Sequence, residues 1–284
     1  MKALSDRSNR MLKVVDSNVL QSTMLRSYLS RSQTNFAVLT DYAAMEAYKG
    51  ETLTSIFRSM EILSDFPRQV IVLKTTGLVC GLSGRRSGLQ RRMIDQEQTR
   101  GFQKYCRHLR GAEFGDVNLR EQLLDMGREA DAQMQRMLSD ATMLPGTIDG
   151  IATAFTNTEL KIIRAGSPIP SQLVRKFFES VLGMAQSLYA SHPRPTVVRD
   201  ARELPNTFLF RMAVCALVWA LDWISVGGPK NVRPDKMRND LVDLNFAAFA
   251  TYFDGLLSMD QKPLRIYERA AFVLDALLSN PKWR

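Results

Sequence analysis

The chain has 284 residues, 45% hydrophobic and 24% charged, with a formal net charge of +9 and a pI near 9.6. These values fit a soluble globular protein with a full core, arranged as one large domain or two modest ones, and the arginine-rich excess favours a polyanionic partner, nucleic acid ahead of an anionic membrane surface. Three scattered cysteines (Cys80, Cys106, Cys215) and two histidines (His108, His192) have no metal-ligand spacing, which argues against zinc and histidine-based catalysis and suits a reducing, cytoplasmic setting.

Residues 1–12 are polar and charged and lack the apolar run of a secretory signal. Residues 11–20 read as a first strand, and Asp16-Ser17-Asn18 starts a helix with apolar positions Val19, Leu20, Met24, Leu25 and Leu29. Phe36–Leu39 is a second apolar run, followed by a helix that Thr40 or Asp41 can cap and that carries Tyr42, Met45, Glu46 and Tyr48. A third amphipathic helix spans about residues 51–63, Pro67 breaks the chain, and the β-branched run Gln69–Leu73 reads as a strand or an apolar helix turn.

Gly77, Gly81, Gly84 and Gly88 then punctuate a loop, and residues 91–190 show helical spacing with almost no strand pattern, interrupted at Pro145-Gly146 and at Ser167-Pro168-Ile169-Pro170. Residues 85–199 are thus expected to form a helical insertion or cap, and residues 1–84 and 200–284 the core of an α/β fold. Thr207–Ile224 has the length of a membrane span, but Arg211 and Asp222 would be costly in hydrocarbon, so a buried core helix is expected. Asp222 is expected to pair with an arginine, Arg211 or one elsewhere, without a catalytic role. A helix with small residues follows (239–250), then a closing strand, Gly255–Met259, and a final amphipathic helix, Arg265–Leu278.

The acids fall on these elements in a telling order. Asp16 and Asp260 follow apolar strands, Glu46 lies on the second helix, and Asp240 and Asp243 share a face as an i,i+3 pair. Ligand groups of open α/β sheets lie beyond the carboxyl ends of the strands. If the first and last strands are neighbours, carboxylates from distant segments converge, and a hard divalent cation relieves their repulsion. The segments VVDSN (Asp16, Asn18), DYAAMEAYKG (Glu46) and DLNFAAFATYFDGLLSMD (Asp243 to Asp260) resemble the PIN-domain nucleases over about residues 11–75 and 200–284.

That resemblance implies a PIN-like central parallel sheet flanked by helices. It implies metal-dependent phosphodiester hydrolysis, foremost as an RNA endonuclease, and allows homo-oligomers. Asp16, Glu46, Asp243 and Asp260 would be the catalytic acids holding Mg²⁺ or Mn²⁺, with Asp240 and Asn18 as supporting ligands. RNA is favoured over DNA as the partner, and no membrane association is expected. A catalytically inactive PIN-like shell that binds nucleic acid is the alternative. A phosphohydrolase using Asp16 as nucleophile is disfavoured, because Asn18 stands where a second acid would be needed.

Residues 85–110 carry Arg85, Arg86, Arg91, Arg92, Arg100, Lys104, Arg107 and Arg110 against Asp95 and Glu97, a net of +6, with Phe102 and Tyr105 interleaved. Such a segment can neutralise phosphates and stack bases. A second cluster, Lys230, Arg233, Lys236 and Arg238, precedes Asp240 and could deliver a scissile phosphate to the acids.

Overall fold

The structure, a computed structural model, describes residues 10–49, 52–165, 170–193, 198, 200–229 and 232–279; Lys230 lies outside them. Strand β1 (Met11–Val15) is exposed at its first residue and buried at Val14 and Val15. It stops five residues short of the expected end because the Asp16 carboxylate accepts the Asn18 N–H and caps a 3₁₀ turn, Ser17–Val19. Helix α1 (Thr23–Arg31) leads to β2 (Asn35–Leu39). The Thr40 hydroxyl then accepts the Ala43 N–H at 3.1 Å and opens α2 (Asp41–Tyr48). Helix α3 (Leu53–Asp65) follows, and the Gln69–Leu73 run resolves as strand β3 (Val70–Val72).

The glycine-rich stretch is not all loop: it opens with a five-residue helix, α4 (Thr76–Cys80), and a second, α5 (Leu89–Met93), follows Gly88. Beyond it run α6 (Gln96–Glu113), α7 (Val117–Ala141), α8 (Leu144–Thr153), α9 (Asn157–Ala165) and α10 (Ser171–Ser191). The chain closes with α11 (Phe208–Ser225), α12 (Pro234–Ala250), β4 (Leu256–Leu257) and α13 (Gln261–Ser279). This is an α/β fold, mostly helical, built on a parallel sheet of order β3-β2-β1-β4.

The order explains where a site can form. The chain steps outward from β1 through β2 to β3, then returns to the other flank of β1 as β4, pairing Val14 with Leu256 and Val15 with Leu257. The direction of winding reverses between β1 and β4, and the crevice beyond their carboxyl ends is where open α/β sheets receive ligands.

Helix α12 packs on β1, α7, α11 and α13, and α7 also packs on α2. Leu123, Ala130, Met134, Met137 and Ala141 form the buried stripe of α7, at the spacing expected of one helical face. Met134, Ile148 and Val181 thereby join the same hydrophobic cluster as Val14 and Phe249.

Twelve of the eighteen residues of α11 are buried. It is the one helix among the described residues long and apolar enough to span a bilayer, and 67% of it is buried inside the protein. Arg211 does not reach solvent from its end of this helix. It is 6% exposed, its guanidinium donates to the carbonyls of Pro205 (3.2 Å) and Thr251 (2.5 Å), and it lies over the Tyr252 ring. Thr251 terminates α12, so a cation sits at the negative end of that helix. Asp222 pairs not with Arg211 but with Arg265 and Arg269 of α13.

Candidate metal centre

The acids at the β1–β4 crevice are built from the strand ends inward. Asp16 is 3% exposed. Its Oδ2 accepts from the Ser258 hydroxyl at 2.5 Å and from Asn18 Nδ2 at 2.8 Å. The contacts of Oδ1, to Asn18 N and the Ser17 hydroxyl, are both 3.3 Å, leaving it the less committed oxygen. Ser258 also accepts the Asp260 N–H at 3.0 Å, and Asn18 Oδ1 accepts the Met259 N–H at 3.0 Å. Residues 16–18 and 258–260 are therefore stitched together across 240 positions of sequence. The acids at the two strand ends share one edge, as the sequence implies.

Glu46 reaches this edge from α2. Its Oε2 accepts the Ser17 hydroxyl, and Lys49 Nζ lies 2.9 Å from Oε1. Ser17 thus stands between the Asp16 and Glu46 carboxylates. Burial pushes the Asp16 carboxyl above its ordinary value, against the pull of its hydrogen bonds to Ser258 and Asn18, and the Glu46 charge adds to the rise.

Helix α12 contributes the other two acids, in different states. Asp240 is 1% exposed; its Oδ2 accepts the indole N–H of Trp219 at 2.8 Å and of Trp223 at 3.0 Å, and its Oδ1 pairs with Lys262. Both oxygens are taken by protein donors, so its place as a supporting ligand gives way to that of a buried anchor. One turn on, Asp243 has no hydrogen bond or salt bridge to its carboxylate among the described residues. Burial, together with the charges of Asp16, Asp240 and Asp260, pushes its carboxyl up to about 8, with only Lys262 pulling the other way.

Among the described residues no three acidic, cysteine or histidine side chains stand close enough to chelate one ion as they are placed. The donor chemistry nevertheless suits a hard cation. Asp243 has no hydrogen-bond or salt-bridge partner among the described residues and feels the charges of Asp16, Asp240 and Asp260, while Asp260 itself is exposed and its Oδ1 accepts the Lys262 N–H at 2.9 Å at the start of α13. The serines, Lys262 and the two indoles were not foreseen as parts of this site. One hint was available: tryptophans four apart on a buried helix need acceptors for their N–H groups.

The loop part of the basic segment, residues 83–92, lies elsewhere. Arg92 is not free for phosphate; its guanidinium donates to the carbonyls of Ser83 (2.9 Å), Arg85 (2.7 Å) and Ser87 (2.5 Å), closing the glycine-rich loop. That loop lies against the start of α11, near enough for Arg92 to feel Glu203 and for Arg211 to feel Arg86. Trp219 and Trp223, beside the acids, are eight and twelve residues further along α11, roughly 12 and 18 Å at the helical rise. Arg85, Arg86, Arg91, Arg100, Lys104 and Arg107 are exposed, the last three on α6. Lys236 and Arg238, on α12, are the predicted basic residues on the helix that carries Asp240 and Asp243.

Gly84 is what allows the loop to seat. A Cβ there would stand 2.0 Å from the Glu203 carbonyl oxygen. Gly84→Ala is expected to cost about 2 kcal/mol or more through backbone displacement, read as a lower urea midpoint; an unchanged midpoint would show that the loop yields freely.

Comparison with known proteins returns no matching family model, no matching curated protein and no matching solved structure.

Proposed function

We propose that this chain is a metal-dependent nuclease of PIN-like architecture that hydrolyses phosphodiester bonds, foremost in RNA. The observation that carries this reading is the gathering of the Asp16, Asp240, Asp243 and Asp260 charges at the switch point of a parallel sheet, where Asp243 has no hydrogen bond or salt bridge among the described residues. Asp16, Asp243 and Asp260, with Glu46 behind them, are the residues that would hold Mg²⁺ or Mn²⁺. When bound, such an ion supplies positive charge to the phosphoryl oxygens and lowers the pKa of a coordinated water.

The chain's own residues do the positioning. Ser258 and Asn18 fix the Asp16 carboxylate and tie it to the Asp260 backbone, so the two strand ends move as one unit. Ser17 sets the Glu46 carboxylate relative to Asp16. No side-chain nucleophile is needed; the three cysteines are all buried, and burial raises each thiol.

The test is a panel of labelled single- and double-stranded RNA and DNA with Mg²⁺, Mn²⁺ or EDTA. Cleavage is expected with either metal and not with EDTA. Asp16→Asn is expected to lower the rate by more than about 100-fold with an unchanged circular dichroism spectrum. Full activity in that variant, or in EDTA, would reject the reading.

A second reading has one observation behind it: the acids do not chelate as placed, and Lys262 already neutralises Asp240. A non-catalytic nucleic-acid-binding protein of the same architecture would show salt-sensitive RNA binding and a melting temperature indifferent to Mn²⁺.

A further inference from the structure

Two lysines converge on one indole at the mouth of the acid crevice. Lys236 Nζ, from the first turn of α12, lies 5.3 Å from the Trp223 ring centroid, and Lys262 Nζ, from the first turn of α13, lies 5.8 Å from it. The indole is fixed in turn, because its N–H donates to Asp240 Oδ2 at 3.0 Å alongside that of Trp219 at 2.8 Å. Lys262 pairs with Asp240 Oδ1, so a buried carboxylate and two tryptophans hold an ammonium at the rim.

Neither lysine is used up by its surroundings. The ammonium has three donors, and the hydrogen bond from Lys262 to Asp240 occupies one of them. The Lys262 side chain is 27% exposed. Lys236 is exposed and has no carboxylate within salt-bridge distance among the described residues; the nearest acid in sequence, Asp235, pairs with Arg233. Asp240 offsets the Lys262 charge, and the indole face attracts both ammonium groups, which leaves the exposed Lys236 without a counter-ion among the described residues. An anionic ligand would supply one. An acid crevice that takes a cation, rimmed by cations that take an anion, matches a phosphodiester.

We propose that Lys236 and Lys262, gathered on the Trp223 indole, form the phosphate-binding rim of the crevice and take the backbone of a nucleic-acid strand next to the acids. The choice of phosphodiester rests on the nuclease reading; the rim itself rests on the lysine–indole geometry. It adds Lys262 and Trp223 to the interface and moves the principal contact from the 85–110 segment to the crevice mouth.

The experiment is fluorescence anisotropy of a labelled twelve-nucleotide single-stranded RNA with the full chain in EDTA, across a salt series. The Lys236→Gln/Lys262→Gln variant is expected to bind about tenfold more weakly. The slope of log K against log salt should shrink by about 1.4, the value for two lost phosphate contacts on a single strand. Unchanged affinity and slope would overturn the proposal. If losing the Lys262 charge unfolds the protein by stranding Asp240, the variant that also carries Asp240→Asn keeps the anchor neutral and is read the same way.

Melting with and without Mn²⁺, run on the same samples, separates the two ideas. Lysine-dependent RNA binding with no Mn²⁺ response in the wild type supports the rim and rejects the metal reading. A Mn²⁺ response with lysine-independent binding does the reverse.

Discussion

Asp243→Asn is expected to melt at a higher temperature than the wild type above pH 8 and, on the proposed reading, to lack metal-dependent cleavage. The sign follows from linkage. The carboxyl ionises near its ordinary 3.8 in the unfolded chain and at about 8 in the folded one. Between those values the folded state binds more protons, so wild-type stability falls as pH rises from about 4 to about 8 and is level beyond. The asparagine variant lacks that decline, so the two proteins should agree below pH 4 and diverge to a plateau above pH 8.

The full gap converts to roughly 5–6 kcal/mol at 1.36 kcal/mol per pH unit. With the carboxylate partly open to solvent, about 2–3 kcal/mol is the expected share, or about 5 °C or more for a chain of this size. Saturating Mn²⁺ should raise the wild-type melting temperature at neutral pH, since an ion that binds only the folded state stabilises it by mass action. The variant should lose most of that response. Parallel stability–pH curves for the two proteins would reject the placement of Asp243 among ionised acids.

Asp240→Ala is expected to be among the most damaging substitutions in the chain. It strands the buried indole N–H of Trp219 and the part-buried one of Trp223 and leaves Lys262 without its counter-charge. Each buried donor without an acceptor costs about 1–3 kcal/mol, and breaking a buried ion pair from one side costs about 3–5 kcal/mol. These overlap, so a total of about 4 kcal/mol is expected. Urea unfolding followed by tryptophan fluorescence would measure it, and a loss below about 1 kcal/mol would show that the network is not a structural anchor. Asp240→Asn, which retains an acceptor for the indoles, should fall in between.

The two variants separate residues that the sequence could not. Asp240 and Asp243 share a helix face and a residue type, and periodicity treats them alike. Their different states come from α11, whose Trp219 and Trp223 satisfy one acid and pass by the other. Parallel pairing of β1 with β4 was legible, because short apolar runs each followed by an acid mark strand ends. Lys262 was not, since a lysine in the first turn of an amphipathic helix reads as a solvated residue until its neighbours are placed. Arg92 looked like one more member of a basic run; only the carbonyls of the folded loop show what its guanidinium is for. The buried stripe of α7 was present at helical spacing, but spacing alone does not say which helices it meets.

The hydrogen bond from Ser258 to Asp16 joins residues 242 positions apart, and β4 is only two residues long. During synthesis at about 5–20 residues per second, Asp16 therefore leaves the ribosome on the order of 10–50 s before its partner is made. Through that interval one flank of β1 has no neighbour and the crevice has a single wall. A chain cut short before residue 256 would lack the strand that closes this flank of β1 and the serine that fixes the Asp16 carboxylate.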